Sequence, residues 1–293
     1  MSASSDFTHY PLAAPPPAAS RPFAGKLDEI RAQHTAFWAQ PAAAGDARAF
    51  LRGDAAHAYA TRSAVAPPGA AAGAAGPHAL PGWVRAWTPF TGFAGPVLAE
   101  DEQVVIVGNR SSFDAAQYGG AAGGGGRAGM SALHLLGLPK ANLYNGVSLT
   151  PRTARVVDAV AALFRARWRD SAAFREAVFA HQLAAVDRRE REAAAANRPD
   201  AAERADDARV RWGELLPALD ALDADNDFTF GLHLWPDHSV AHLHVHILAA
   251  GEEARQYSTR VHDRKTKDAF EVRDYVLNEV AERPELYEPA EQE

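Results

Sequence analysis

Three histidines alternate with aliphatic residues near the C-terminal end of this 293-residue sequence. They are His242, His244 and His246, within the run Ala-His-Leu-His-Val-His-Ile-Leu. Side chains two positions apart on a β-strand share a face. The pattern therefore predicts three imidazoles in a row, about 6–7 Å between neighbours, opposite an aliphatic face that enters the core. Isolated core histidines do not account for three polar rings on one face, so the pattern indicates a chemical site.

Two kinds of chemistry use such a row. His-x-His on a strand can place two nitrogens on zinc or iron. However, three consecutive same-face positions span too far for one ion, and no carboxylate lies within the row. The alternative is nucleophilic catalysis: the neutral imidazole of His244 attacks phosphorus while the flanking rings donate hydrogen bonds to the phosphoryl oxygens. The pattern favours this second chemistry, and we expect neither a metal nor another cofactor.

The motif resembles the signature of a known family. His242-Leu-His-Val-His-Ile-Leu248 is similar to the triad of the histidine triad (HIT) superfamily of nucleotide hydrolases and transferases. Gly231-Leu-His-Leu-Trp-Pro236 looks like the element that leads into the triad in the aprataxin branch. Segments 104–109 and 133–140 resemble the upstream hairpin of the family. The resemblance covers about residues 100–280 and implies a HIT-like fold.

The resemblance also implies the roles of the site residues. His244 is the implied nucleophile, oriented by the main-chain carbonyl of His242, and His246 contacts the α-phosphate. Substrate contacts are implied for four further residues, which are His233, His238, Ser239 and Asn109. The implied reaction is hydrolysis or nucleotidyl transfer at the α-phosphate of a nucleotide such as an AMP conjugate. It proceeds through a covalent nucleotidyl-histidine intermediate.

Two other functions stay open at this level. A nucleotide-binding or interaction module would keep the pocket without useful turnover, and an aprataxin-like deadenylase would remove AMP from 5′-adenylated DNA. The chain contains no cysteine for the zinc finger usual in that branch, and its net charge of −7 weakens affinity for DNA. We therefore expect a small-molecule nucleotide substrate, with nucleic acid the less favoured partner and a homodimer left open.

Hydrophobic periodicity predicts the elements that position these residues. β-branched and alternating runs predict four strands, at 103–107, 132–138, 228–234 and 241–248. Helical periodicity predicts four helices, at 150–168, 171–197, 201–222 and 268–280. The first of these is expected to begin at Thr150, a capping residue followed by proline. Segregated strands and helices are typical of an α+β fold with a mostly antiparallel sheet, and the helices around 171–222 form a long insertion.

Composition divides the chain into three parts. Residues 1–95 form an Ala/Pro-rich extension that is partly linker, with a short helix predicted at 26–39 and an aromatic cluster at 83–93. Residues 96–281 form the HIT-like catalytic domain, and 282–293 form an acidic tail.

Charge and composition exclude several classes of protein. The absence of cysteine excludes disulfides, iron–sulfur clusters and a cysteine nucleophile. No apolar run approaches the roughly 20 residues of a membrane span. The N-terminal residues lack the pattern of a secretory signal. We therefore expect a soluble, cytoplasmic protein with no membrane partner, and a nuclear location is left open.

Three further features lie outside the triad motif. A basic cluster at 260–267 is either a solvated surface or a rim that steers phosphates into the site. The glycine-rich stretch at 119–129 is expected to be a surface loop. Of two other histidines, His134 is expected in the core and His181 on the surface.

Overall fold

The computed structural model describes residues 6–40, 45, 97–109, 130–141, 143–238, 240, 242–255 and 260–283. Within these ranges a single antiparallel sheet has the strand order β1-β2-β3-β5-β4-β6. Its strands are β1 (Val97–Glu100), β2 (Val104–Gly108), β3 (His134–Pro139), β4 (Phe228–His233), β5 (Val245–Ala249) and β6 (Thr266–Asp268). Helices lie between and after these strands, which confirms the predicted α+β class.

Five of the six described α-helices follow the order predicted by helical periodicity, and the short helix at Glu252–Arg255 was not predicted. The six are α1 (Leu27–Trp38), α2 (Val156–Asp170), α3 (Ala172–Ala195), α4 (Ala201–Asp220), the short α5 (Glu252–Arg255) and α6 (Ala269–Tyr275), which continues as a π-helical turn over Val276–Val280. The hydroxyl of Ser171 caps α3 by accepting a hydrogen bond from the Phe174 amide. Helices α3 and α4 lie at the positions predicted from residues 171–197 and 201–222.

The start of α2 differs from the prediction. The helix begins at Val156 and not at Thr150, and residues 151–155 form turns. The Arg152 carbonyl accepts a hydrogen bond from the Phe7 amide, so it is not used in a regular helical ladder. The Arg155 side chain donates to the carbonyls of Thr8 and Tyr10. Contacts with a distant part of the chain therefore replace the first helical turn.

Alternation along the strands separates a core face from a polar face. Val245 and Ile247 of β5 belong to the large hydrophobic core, together with aliphatic and aromatic residues of the other strands and of α2. His246, between them, projects from the opposite face, as do His134 of β3 and His233 of β4, because side chains alternate with a period of two. The predicted aliphatic face is present in β5, and of the three predicted imidazoles only His246 lies on this strand.

The N-terminal segment, defined here as residues 6–40, packs into the same core. Phe7, Ile30 and Phe37 are fully or almost fully buried there, and α1 coincides with the helix predicted at 26–39. The aromatic cluster at 83–93, the glycine-rich stretch at 119–129 and the tail from 284 onward lie outside the described residues. None of the helices in the described ranges has the length and apolarity needed to cross a bilayer.

Two glycines provide a matched test of this packing. A Cβ at Gly137 of β3 would lie 2.2 Å from a methyl group of Val160 in α2, whereas a Cβ at Gly213 of α4 would meet no atom within 4 Å. We expect Gly137→Ala to lower the free energy of unfolding by about 1–3 kcal/mol through overpacking. Gly213→Ala should raise it by about 0.5–1 kcal/mol through helix propensity. Urea denaturation measures both, and equal effects of the two substitutions would contradict this packing.

Candidate functional site

Three imidazoles, two from strands β4 and β5 and one from the residue directly before β5, meet on the polar face of the sheet. One ring nitrogen each from His233, His244 and His246 lies within 4.8 Å of the others. The ring centroid of His246 lies 4.4 Å from that of His233 and 4.8 Å from that of His244. Strand β5 begins only at Val245, so His242 and His244 precede the strand instead of lying on it as predicted. All of these rings are buried.

A backbone carbonyl determines which nitrogen of His244 carries the proton. Its Nδ1 lies 2.8 Å from the carbonyl oxygen of His242. A carbonyl only accepts hydrogen bonds, so Nδ1 is the protonated nitrogen and Nε2 carries the lone pair. Burial, reinforced by the positive charge of Lys265 and opposed by this hydrogen bond, lowers the pKa of His244 to about 4. The ring is therefore neutral at pH 7, with a nucleophilic Nε2.

His242 has a supporting position. Its Nε2 donates to the Pro139 carbonyl at the end of β3, over 3.1 Å, and burial lowers its pKa to about 4. His242 is not among the three rings that converge. It contributes to the site through its main-chain carbonyl, while its ring anchors the segment that leads into β5.

A chain of hydrogen bonds through His134 determines which nitrogen of His246 carries the proton. The Met130 amide donates to Nδ1 of His134 over 3.4 Å, whereas the Asn109 side-chain amide lies 3.0 Å from Nδ1 and 3.1 Å from Nε2 and does not distinguish the two nitrogens. Nδ1 of His134 therefore accepts, and its Nε2 donates to Nδ1 of His246 over 2.8 Å. The proton of His246 is then on Nε2. That buried nitrogen has no hydrogen-bond partner among the described residues.

A threonine determines which nitrogen of His233 carries the proton. Thr266 donates its hydroxyl proton to the His262 carbonyl over 2.7 Å. Its oxygen is then the acceptor for Nε2 of His233 at 3.1 Å. The lone pair of His233 is therefore on Nδ1. Burial, followed by the charge of Lys265, holds the pKa of His233 well below its ordinary value.

The proton positions favour an anion over a metal ion. A metal needs a lone pair on every coordinating nitrogen, but the chain from Met130 through His134 leaves a proton on Nε2 of His246. Moving that proton to Nδ1 would bring a protonated Nδ1 of His134 against the Met130 amide. An N–H group on His246 and a lone pair on His244 suit an electrophilic phosphorus whose oxygens are negatively charged.

One cation lies at the edge of this group. Lys265 is half-buried, and burial lowers its pKa while Asp237 opposes the shift. Its charge lowers the pKa of His233, His244 and His246. Its ammonium makes no hydrogen bond or ion pair within the described part of the chain. Lys265 can therefore meet an anionic ligand, which agrees with the rim interpretation of the basic cluster.

Other members of the basic cluster have different positions. Lys267 is 1% exposed and forms an ion pair with Glu29 at 2.6 Å, so it is not part of a rim. The ring of His262 stacks near His233, with centroids 6.1 Å apart. The side chain of Arg260 lies outside the described residues.

The remaining predicted site residues are distributed around the triad. Asn109 contacts His134 and so lies one ring away from His246. His238 is buried and packs edge-on against the ring of Tyr144 at 5.9 Å. Ser239 lies outside the described residues.

The predicted burial was correct for one of two other histidines and wrong for the second. His134 is buried as expected, but its hydrogen bond to His246 was not predicted. Leu136 pairs with His246 across the sheet, and His134 lies two positions before Leu136 and so on the same face. This period-two relation is the signal in the sequence that could have indicated the contact. His181 is buried, so the expected surface position was wrong. Its ring occupies the space left by Gly108, where a Cβ would lie 2.0 Å from it.

Comparison with protein-family models, with curated proteins and with solved structures finds no match to this chain. Its function therefore has to follow from the sequence and from the geometry of the site.

Burial of neutral imidazoles predicts a steep pH dependence of stability. Burial lowers the pKa of His34, His242 and His244 to about 4, and that of His134 to about 3. In the unfolded chain these rings titrate near 6.5. The unfolded state therefore binds more protons below pH 6.5, and stability falls as the pH decreases from 6.5 toward 4. Each such proton contributes a slope of about 1.4 kcal/mol per pH unit.

Urea unfolding between pH 7.5 and 4.5 measures this slope. We expect a value that corresponds to at least two protons. His34→Phe should reduce the slope by up to one proton, and His9→Ala, which removes an exposed ring, is the matched control. A stability that does not change across this window would contradict the neutral state of the buried rings.

Proposed function

We propose that the protein is a nucleotide hydrolase or nucleotidyl transferase that acts at an α-phosphate through a covalent nucleotidyl-His244 intermediate. The observation that carries the proposal is the 2.8 Å hydrogen bond between Nδ1 of His244 and the His242 carbonyl. It leaves the lone pair on Nε2 of a buried, neutral ring. The same arrangement is implied by the resemblance of residues 242–248 to the HIT signature.

The proposed reaction has two displacement steps. Nε2 of His244 attacks the α-phosphorus, a P–N bond forms, and the bond to the leaving group breaks with its electron pair on the leaving group. Water or another acceptor then attacks the same phosphorus, the P–N bond breaks, and its electron pair returns to Nε2. The proton of the water passes to the product or to solvent. The attacked atom is the same in both steps, so one set of donors serves both.

Two groups bind the negatively charged phosphoryl oxygens, His246 as charge develops in the transition state and Lys265 already in the bound substrate. Nε2–H of His246 is a donor held in place by His134, and the ammonium of Lys265 supplies a positive charge. The His246 donor acts in a buried environment, where preorganised donors are worth more than in water. His233 lies against His246, with the ring centroids 4.4 Å apart.

The substrate class is tested with a panel of nucleotide conjugates. Dinucleoside polyphosphates, nucleoside phosphoramidates and 5′-adenylated DNA offer the same α-phosphate with different leaving groups. We expect one of the small-molecule conjugates to turn over fastest. Preference for the adenylated DNA would instead favour the deadenylase alternative. Binding without turnover of any conjugate would favour the nucleotide-binding module.

Substitution of the nucleophile should abolish turnover. We expect His244→Ala to lower kcat by about three orders of magnitude or more, because it removes the atom that forms the covalent bond. His9→Ala, on an exposed part of the N-terminal segment, should leave kcat unchanged. Steady-state kinetics on the best conjugate of the panel, with circular dichroism as a check of folding, measures both. If folded His244→Ala kept a tenth of the wild-type kcat, the nucleophile would have been assigned wrongly.

The charge of Lys265 should matter most for highly charged substrates. We expect Lys265→Met to raise KM for a dinucleoside tetraphosphate roughly tenfold, the effect of losing one charge-assisted hydrogen bond. A singly charged AMP-amide should be affected less, and the difference should shrink at high salt. Arg264→Met removes the same charge from the exposed neighbouring side chain and is the matched control. Equal KM changes for the two substrates would show that Lys265 is not part of the phosphate-binding rim.

A further inference from the structure

One lysine of the N-terminal segment binds the turn that precedes β6. The ammonium of Lys26 donates to the carbonyls of Asp263, Arg264 and Thr266, the last two over 3.4 and 2.9 Å. An ammonium has three N–H donors, one for each of these three carbonyls. The side chain is half-buried and comes from a position more than 230 residues away in sequence. The turn is therefore held by a group that belongs to a different part of the chain.

These carbonyls lie on both sides of Lys265. Those of Asp263 and Arg264 precede it, and that of Thr266 follows it. The hydroxyl of Thr266 is also the acceptor that sets the proton position of His233. A group that fixes this backbone therefore fixes two features of the site at once: where the ammonium of Lys265 lies, and which nitrogen of His233 carries the lone pair.

The rest of the N-terminal segment supports the same region. Glu29 forms an ion pair with the buried Lys267. Arg21 makes two 2.9 Å hydrogen bonds to the carboxylate of Asp268, which is completely buried. Gln33 donates to Asp237 over 2.9 Å, and Asp237 is the carboxylate whose charge acts on Lys265. The segment thus binds two residues of β6. It also binds Asp237, the carboxylate whose charge acts on Lys265.

We propose that Lys26 is a positioning residue for the site, acting through the backbone of residues 263–266 to place Lys265 and the acceptor of His233. This inference rests on the proposed function for its effect on catalysis, but its effect on His233 does not depend on any substrate. Lys26 itself does not touch the reacting atoms. It makes the N-terminal segment a part of the site, although the segment contributes none of the site's imidazoles.

The test uses Lys26→Met in the full-length chain, because methionine keeps a long apolar side chain and removes the three donors. The first measurement is the ¹⁵N spectrum of the histidine side chains without ligand. We expect the Nε2 and Nδ1 signals of His233 to shift as its hydrogen bond to Thr266 loosens. The second is steady-state kinetics on a dinucleoside tetraphosphate, for which we expect KM to rise roughly tenfold while kcat changes much less.

Arg31→Met is the matched control. Arg31 lies in the same segment, carries the same charge and pairs with Glu279 and Asp28 at a more exposed position. It should leave both the His233 signals and KM unchanged, which separates positioning from a general loss of charge or stability. Lys26→Arg keeps donors and charge and should restore most of the wild-type values.

The outcomes are distinct. If Lys26→Met behaves as Arg31→Met does in both measurements, the positioning role is wrong. If the wild type neither binds nor turns over any nucleotide, the proposed function fails, and the His233 spectra alone decide the role of Lys26. If Lys26→Met does not fold, Lys26→Gln, which keeps two N–H donors, is judged by the same two measurements.

Discussion

The burial of uncharged imidazoles is the constraint on which the site depends. A charged ring is costly to bury, so each ring stays neutral and has one donor and one acceptor nitrogen. Groups that cannot reverse their role then decide the proton positions. The carbonyl of His242 accepts a hydrogen bond from Nδ1 of His244, the Met130 amide acts through His134 on His246, and the His262 carbonyl acts through Thr266 on His233. The lone pair and the donors are therefore in place before any ligand binds.

This arrangement connects the fold with the proposed chemistry. A lone pair on His244 near a fixed donor and an ammonium suits an anionic, electrophilic phosphorus, and the proton on His246 opposes a metal ion at the same position. The sheet supplies the rigidity, because β3, β5 and β4 are neighbours and carry His134, His246 and His233 on one face. Small changes in strand register would move these rings to the other face.

The N-terminal segment binds a buried ion pair, and burying that pair without the segment would be costly. The buried pair of Asp158 and Arg273 binds the backbone of Ala13 in both directions: Asp158 accepts from its amide and Arg273 donates to its carbonyl. Removing the segment would leave this buried pair without those partners, which is destabilising. The same segment carries Lys26, Glu29 and Arg21 to β6. Structural and positional roles are thus combined in one stretch of chain.

Local patterns in the sequence were sufficient for much of this protein. The period-two alternation of residues 243–247 predicted an aliphatic face opposite an imidazole face, and helical periodicity predicted α1, α3 and α4 to within a few residues. These features depend on neighbours in sequence, which is why periodicity finds them.

Contacts between distant residues were decided only by the tertiary structure. They include the bond from His134 to His246, the burial of His181 against Gly108, the pairing of Lys267 with Glu29 and the late start of α2 at Val156. In each case the environment of a residue is set by a partner far away in sequence. A hydrogen bond or an ion pair leaves no periodic signal in either segment, so only the folded arrangement determines which polar side chains meet.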